Sequence, residues 1–209
     1  RSAITHAALS PDGTRVAYTS FESGSAQIWL RNVDGSSPMQ LTRTVRPAFW
    51  PIWAPDGRSI VFGSQSSGVP ELWKISSTGG EPVRLAQSVG MRCDWSHVSN
   101  QLVCSDGGRT LAILDAETGK LIRSIPWPNS SAALPCWSPD GRQFSALRSP
   151  IGAGSSIWII DAATGQARET VRFKQPFPML FRASWTSDGD FLVVNRNELT
   201  SHVTLFENL

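Results

Sequence analysis

Short apolar runs alternate along the chain with clusters of turn-forming residues, and the runs come in a fixed order. Arg15-Val16-Ala17-Tyr18, Ile60-Val61-Phe62, Gln101-Leu102-Val103-Cys104, Phe144-Ser145-Ala146-Leu147 and Phe191-Leu192-Val193-Val194 are aliphatic, aromatic or β-branched and too short for helices. Each is predicted to be a strand. A second set follows them: Ile28-Trp29-Leu30, Leu72-Trp73-Lys74-Ile75, Leu111-Ala112-Ile113-Leu114, Ile157-Trp158-Ile159-Ile160 and Val203-Thr204-Leu205-Phe206. Gly-bearing turns at Asp34-Gly35, Gly79-Gly80, Thr118-Gly119 and Thr164-Gly165 come next, then a shorter strand such as Met39-Gln40-Leu41-Thr42 or Pro82-Val83-Arg84-Leu85. No stretch sustains a helical period. The predicted class is all-β.

The residues ahead of the first set repeat outright. Trp53-Ala54-Pro55-Asp56-Gly57 recurs as Trp137-Ser138-Pro139-Asp140-Gly141 and, more loosely, as Trp185-Thr186-Ser187-Asp188-Gly189. Leu9-Ser10-Pro11-Asp12-Gly13 carries Leu in the Trp place, and Trp95-Ser96-His97-Val98-Ser99-Asn100 is a degenerate copy. Anchored on Leu9, Trp53, Trp95, Trp137 and Trp185, the spacings are 44, 42, 42 and 48 residues. A period in the low forties built from short strands is that of a propeller blade. Pro fixes φ at the turn, Asp bonds the nearby backbone, and Gly takes the positive-φ position. A Trp on the first and third strands fills the wedge between neighbouring sheets, because one four-stranded sheet cannot bury its own face. The pattern predicts one β-propeller domain over residues 1–209, with blade repeats near 3–44, 47–88, 90–126, 132–173 and 180–209, the last lacking its fourth strand.

Ser10-Pro11-Asp12-Gly13-Thr14-Arg15-Val16-Ala17-Tyr18-Thr19-Ser20, with Ile28-Trp29, Asp34-Gly35 and Leu41-Thr42, resembles the TolB-like, WD40-related repeat of bacterial propellers. The resemblance spans nearly the whole chain and leaves function open. Such propellers occur in periplasmic Tol-Pal components, in the gating domain of prolyl-oligopeptidase-like peptidases, and as C-terminal domains of bacterial regulators and kinases. The ending Thr200-Ser201-His202-Val203-Thr204-Leu205-Phe206 resembles the final strand of propellers appended to winged-helix regulators, which implies a native C-terminus. By the same resemblance the expected location is extracytoplasmic, in the periplasm. Propellers commonly close by borrowing a strand from the other terminus, and only Arg1–Ala8 precede the first anchor. Either five blades close alone or the chain is the C-terminal portion of a six- to eight-bladed propeller. The second is expected, since the family is seldom five-bladed.

Composition agrees with this picture and narrows the function. Hydrophobic residues are 40% and charged residues 17% of the chain, and nineteen basic against seventeen acidic side chains give +2. That balance offers no case for nucleic acid or an anionic membrane surface. The longest apolar run, near Ser156–Ile160, falls far short of the roughly 20 residues a spanning helix needs. No signal or transit segment is visible, and a start at Arg1 rather than Met is expected of a processed product or a piece of a longer protein. Cys93, Cys104 and Cys136 are too few, and odd in number, for a disulfide scaffold. Cys93 and Cys104 could face each other across a hairpin, but buried free thiols are the expected state.

No Gly-x-Ser-x-Gly elbow, P-loop or Gly-x-Gly-x-x-Gly is present, and His6, His97 and His202 sit in three different repeats without metal-ligand spacing. The recurring Asp12, Asp56, Asp140 and Asp188 are explained by their turns. Asn129-Ser130-Ser131 matches a glycosylation sequon of a length that arises by chance. No catalytic residue, metal or cofactor is expected. Three positions ahead of each anchor stand His6, Trp50, Arg92, Leu134 and Arg182, which would ring one mouth of a central channel if the blades are equivalent. The segments leading there are apolar: Pro47-Ala48-Phe49-Trp50-Pro51, Pro126-Trp127-Pro128 and Pro176-Phe177-Pro178-Met179-Leu180-Phe181. Aromatic and Arg side chains on loops carried by a rigid scaffold are what binding hot spots are made of. The alternative is that these aromatics pack beneath their own loops.

The candidate binding set is therefore His6, Phe49, Trp50, Arg92, Trp127, Phe177, Phe181 and Arg182. The expected function is non-enzymatic: a propeller that binds a protein or peptide at the channel mouth, as the sensory or scaffolding part of a larger bacterial protein. No nucleic-acid contact or membrane insertion is expected. One alternative is the non-catalytic gate of a prolyl-oligopeptidase-like peptidase. Another is a carbohydrate-active propeller enzyme, which would need carboxylates or a His-rich site where the five channel positions hold no Asp or Glu.

Overall fold

In the first four sheets each predicted pair of strands becomes the middle of an antiparallel meander, and in the fifth the pair forms its second and last strands. The structure, a computed structural model, describes residues 4–66, 68–106, 109–127, 134–148, 154–173, 180–196 and 202–206. The first sheet contains β1 (Ile4–Leu9), β2 (Arg15–Ser20), β3 (Gln27–Asn32) and β4 (Met39–Gln40). The second contains β5 (Ala48–Trp53), β6 (Ser59–Ser66), β7 (Val69–Ser76) and β8 (Val83–Gln87). The third contains β9 (Arg92–Trp95), β10 (Gln101–Ser105), β11 (Thr110–Asp115) and β12 (Leu121–Pro126). The fourth contains β13 (Cys136–Trp137), β14 (Gln143–Arg148), β15 (Ser156–Asp161) and β16 (Ala167–Arg172). The fifth is three-stranded, with β17 (Leu180–Trp185), β18 (Leu192–Arg196) and β19 (His202–Phe206). Strands pair in chain order within every sheet, which is the blade pattern of a β-propeller.

The turns between first and second strands are self-contained. Gly13 donates its N–H to Ser10 O at 2.9 Å, and Gly57, Gly141 and Gly189 repeat the bond to Ala54, Ser138 and Thr186. Asp12 Oδ1 accepts from Ser10 Oγ at 2.6 Å, from the Thr14 N–H at 3.0 Å and from Thr14 Oγ1 at 2.8 Å. These bonds, the one from Ser10 foremost, hold the Asp12 pKa at about 2 against an ordinary 3.8. A carboxylate shifted downward adds stability that is present above its ordinary value and is lost as the pH falls through its folded value. An NMR titration of the Asp12 carboxyl carbon should therefore show its midpoint near pH 2, with the turn intact at pH 4. The degenerate third turn is held differently: Ser96 Oγ accepts from the Val98 and Ser99 N–H groups, and Asn100 takes the left-handed conformation at φ 50°.

The chain divides into two compact units, residues 1–91 with 117–120, and residues 92–116 with 121–209. In the first unit, Ile28, Leu30 and Leu41 of the first blade meet Trp53, Ile60 and Phe62 of the second. Trp53 is 6% exposed, its indole donates to Ala8 O at 3.1 Å, and the Arg15 guanidinium lies 5.0 Å from its ring. Leu9, which occupies the Trp place of the first blade, is 59% exposed.

In the second unit Trp137 packs with Val103, Leu111 and Phe144, and its backbone N–H donates to Asp94 Oδ2 at 2.8 Å. The Trp185 indole donates to Cys136 O at 3.0 Å. Trp53 and Trp185 thus follow one rule: each indole bonds the carbonyl just ahead of the preceding anchor.

One expectation about sulfur is overturned. The register sets Cys104 directly opposite Cys93, and the two form a disulfide. Cys136 lies outside this bridge, and it is buried. An antiparallel pair whose side chains share one face brings the two Cβ atoms within bridging distance, which the odd cysteine count had obscured.

Candidate functional site

Two first strands break their ladders at the same place. In β1 the pairing passes from Thr5 opposite Thr19 to Ala7 opposite Tyr18, leaving His6 as an extra residue. In β5 it passes from Phe49 opposite Gly63 to Ile52 opposite Val61, so that Trp50 and Pro51 face Phe62. His6 and Trp50 each lie three residues ahead of their anchors, and both adopt left-handed backbone, at φ 50° and 51°. Bulky residues seldom take this conformation, and Trp50 also precedes a proline, which restricts it further. The two bulges turn the rings toward each other: His6 and Trp50 pack edge to face with centroids 5.2 Å apart, and Phe49 lies 5.4 Å from Trp50. His6 is exposed, while Phe49 and Trp50 are half-buried.

The strand paired with this segment is closely approached by the chain at Met91. A Cβ on Gly63, the residue opposite Phe49, would stand 2.6 Å from Met91 Cβ and 3.1 Å from Met91 O, so only glycine fits there. The connector from the first blade into β5 is also tied down. Gln27, itself buried, donates from Nε2 to Thr44 O at 2.9 Å and Arg46 O at 3.2 Å, and accepts from Thr42 Oγ1 at 2.7 Å. Ser64 Oγ donates to Pro47 O at 2.7 Å, and the Ala48 N–H donates to Ala26 O at 2.8 Å.

The structure brings together His6, Phe49 and Trp50 of the sequence-derived set, all in the first unit. Trp127 is a different kind of residue. It is 4% exposed, sits in the core of the second unit with Trp158 5.8 Å away, and bonds Arg109 O through its backbone N–H. Its flanking prolines suggested a loop, but it directly follows β12 and fills space between strands. Arg92 begins β9 opposite Ser105, half-buried, and Leu134 is likewise half-buried ahead of β13. Phe181 and Arg182 lie in β17, where the register shifts between Leu180 and Arg182, so this sheet carries its irregularity one residue earlier relative to its anchor. Phe177 lies outside the described residues. Among the described residues no cluster of three or more His, Cys, Asp or Glu side chains could hold a metal ion.

The family model of the TolB beta propeller domain matches residues 2–121. This chain belongs to the TolB β-propeller family. Among solved structures, TolB from Acinetobacter baumannii superposes with a TM-score of 0.76 at 20% identity, over 99% of this chain and 52% of that one. The putative TolB from Agrobacterium tumefaciens gives 0.72 at 20% identity, over 97% of this chain and 74% of that one. Hydrazine synthase from Kuenenia stuttgartiensis gives 0.73 at 18% identity, over 98% of this chain and 62% of that one. At such identities the likeness is one of fold. This TolB-family chain spans about half the length of the Acinetobacter TolB. No curated protein sequence matches it.

Proposed function

We propose that this TolB-family propeller is a non-enzymatic module that binds a protein or peptide, the sensory or scaffolding portion of a larger bacterial protein. Its contact surface is the aromatic face of His6, Phe49 and Trp50. The observation that carries this reading is the pair of left-handed aromatic residues at one register position of two adjacent blades, with their rings in contact. Each such conformation costs roughly 1–3 kcal/mol, and strain of this kind concentrates at ligand clamps and switches. The rings offer π faces and edges to apolar, proline or cationic side chains, the chemistry of peptide recognition. An extracytoplasmic location belongs to the same reading and is supported by the Cys93–Cys104 disulfide, since such bonds persist in oxidising compartments.

The test is a displayed random-peptide library panned against the whole chain, followed by calorimetry with the selected peptide. Trp50→Ala should weaken binding by about tenfold or more, as expected for an aromatic hot spot. Val45→Ala, at a fully exposed position, should leave binding unchanged. Equal affinity for wild type and Trp50→Ala would overturn the assignment.

A further inference from the structure

Glu71 is the buried acid of the first unit. It lies near the start of β7, with a side chain only 4% exposed. Its Oε2 accepts from Arg46 Nη1 at 3.3 Å and from the Trp73 indole at 3.2 Å, while Oε1 accepts from Arg84 Nη1 at 3.4 Å. The Arg46 guanidinium also lies over the Trp73 ring, 5.4 Å from its centroid. Trp158 on β15 occupies the equivalent third-strand place, and its indole is satisfied by a neutral hydroxyl, Ser156 Oγ, at 2.8 Å. An indole therefore does not need a carboxylate. What the carboxylate adds is a hold on two arginines, one of which belongs to the connector leading into β5.

That connector is fixed at successive points: Thr44 O and Arg46 O by Gln27, Pro47 O by Ser64, and the Arg46 side chain by Glu71. Three residues beyond Pro47 the chain enters the left-handed conformation at Trp50. A strained residue persists only where its surroundings over-determine it. Of the bonds holding the connector, the charged one is Arg46 to Glu71, and charge-assisted bonds to a desolvated carboxylate are the stronger kind.

We infer that Glu71 is a positioning residue for the Phe49–Trp50 face, acting through Arg46 and the connector. This rests on that face being the binding surface. Without the clamp Trp50 samples a second arrangement, and only part of the population is ready to bind. A fractional competent population lowers the apparent affinity by that fraction, and the loss falls on association. Removing a contact ring instead raises the dissociation rate.

The experiment labels the whole chain with 5-fluorotryptophan and follows the Trp50 fluorine resonance, assigned by Trp50→Phe. In Glu71→Gln and in Arg46→Ala the Trp50 line should broaden or split while the Trp95 and Trp137 lines stay in place. Lys74→Ala, which removes the Lys74–Glu117 ion pair from the same strand, should leave Trp50 unaffected. With the display-selected peptide, Glu71→Gln should slow association severalfold and leave dissociation unchanged. An unmoved Trp50 line in both variants overturns the inference. So does movement of all indole lines together, because Glu71 would then be holding the blade rather than the connector. The fluorine readout needs no ligand, so it stands apart from the binding test: a Trp50→Ala chain of undiminished affinity would sink the surface assignment by itself.

Discussion

Trp53→Ala is expected to lower the stability of the chain by about 3–5 kcal/mol, the range for deleting a buried large aromatic side chain. The side chain is 6% exposed and lies where the cores of the first two blades meet. Its removal opens a cavity and strips the Arg15 guanidinium of its aromatic partner. It also leaves Ala8 O without the indole donor. Urea melting followed by far-ultraviolet circular dichroism would read the loss. Leu9→Ala makes the internal comparison, since the same repeat position is there mostly exposed and the cost should be within about 0.5 kcal/mol. Similar losses at both positions would mean that the anchor acts within its own sheet rather than across the blade junction.

The second large effect concerns the disulfide. The double variant Cys93→Ala/Cys104→Ala should lose about 3 kcal/mol, the loop-closure value for a bridge of sequence separation 11. Alanine is the suitable replacement because Cys104 is fully buried and a serine hydroxyl there would need an acceptor. Reductant should lower the melting temperature of the wild type to that of the double variant and leave the variant where it was. A wild type indifferent to reductant would show that the bridge contributes nothing to folding.

The parts of this fold that could be read from the sequence are those fixed by local chemistry. Pro-Asp-Gly turns announce themselves because the bonds that close them, such as Ser10 Oγ to Asp12, join residues two positions apart. The Trp anchors set the register, and counting two residues back from Trp95 and two on from its partner Leu102 reaches Cys93 and Cys104. The signal for the bridge is thus present in the sequence, and the third cysteine, Cys136, obscures it by making the count odd. Trp127 misled for a related reason: prolines beside an aromatic residue mark a chain bend but do not say which way the ring points.

His6 and Trp50 were legible as positions, since the distance to the anchor marks them. Their left-handed backbone was not, because His carries only a weak preference for positive φ and a pre-proline Trp carries none. Glu71 was invisible for a different reason. Its partner Arg46 lies 25 residues away, and only the folded connector brings the two charges together.

The pairing of strands in chain order also sets a timetable for synthesis. A hairpin closed by contacts such as Arg15 N–H to Ser10 Oγ, five residues apart, can form in roughly 1–10 μs. A ribosome adding roughly 5–20 residues per second takes about 2–8 s to produce one repeat of 42 residues. Each sheet is therefore complete long before the next leaves the exit tunnel. The bond from the Trp53 indole to Ala8 O, spanning 45 residues, forms as the second sheet docks onto a finished first one.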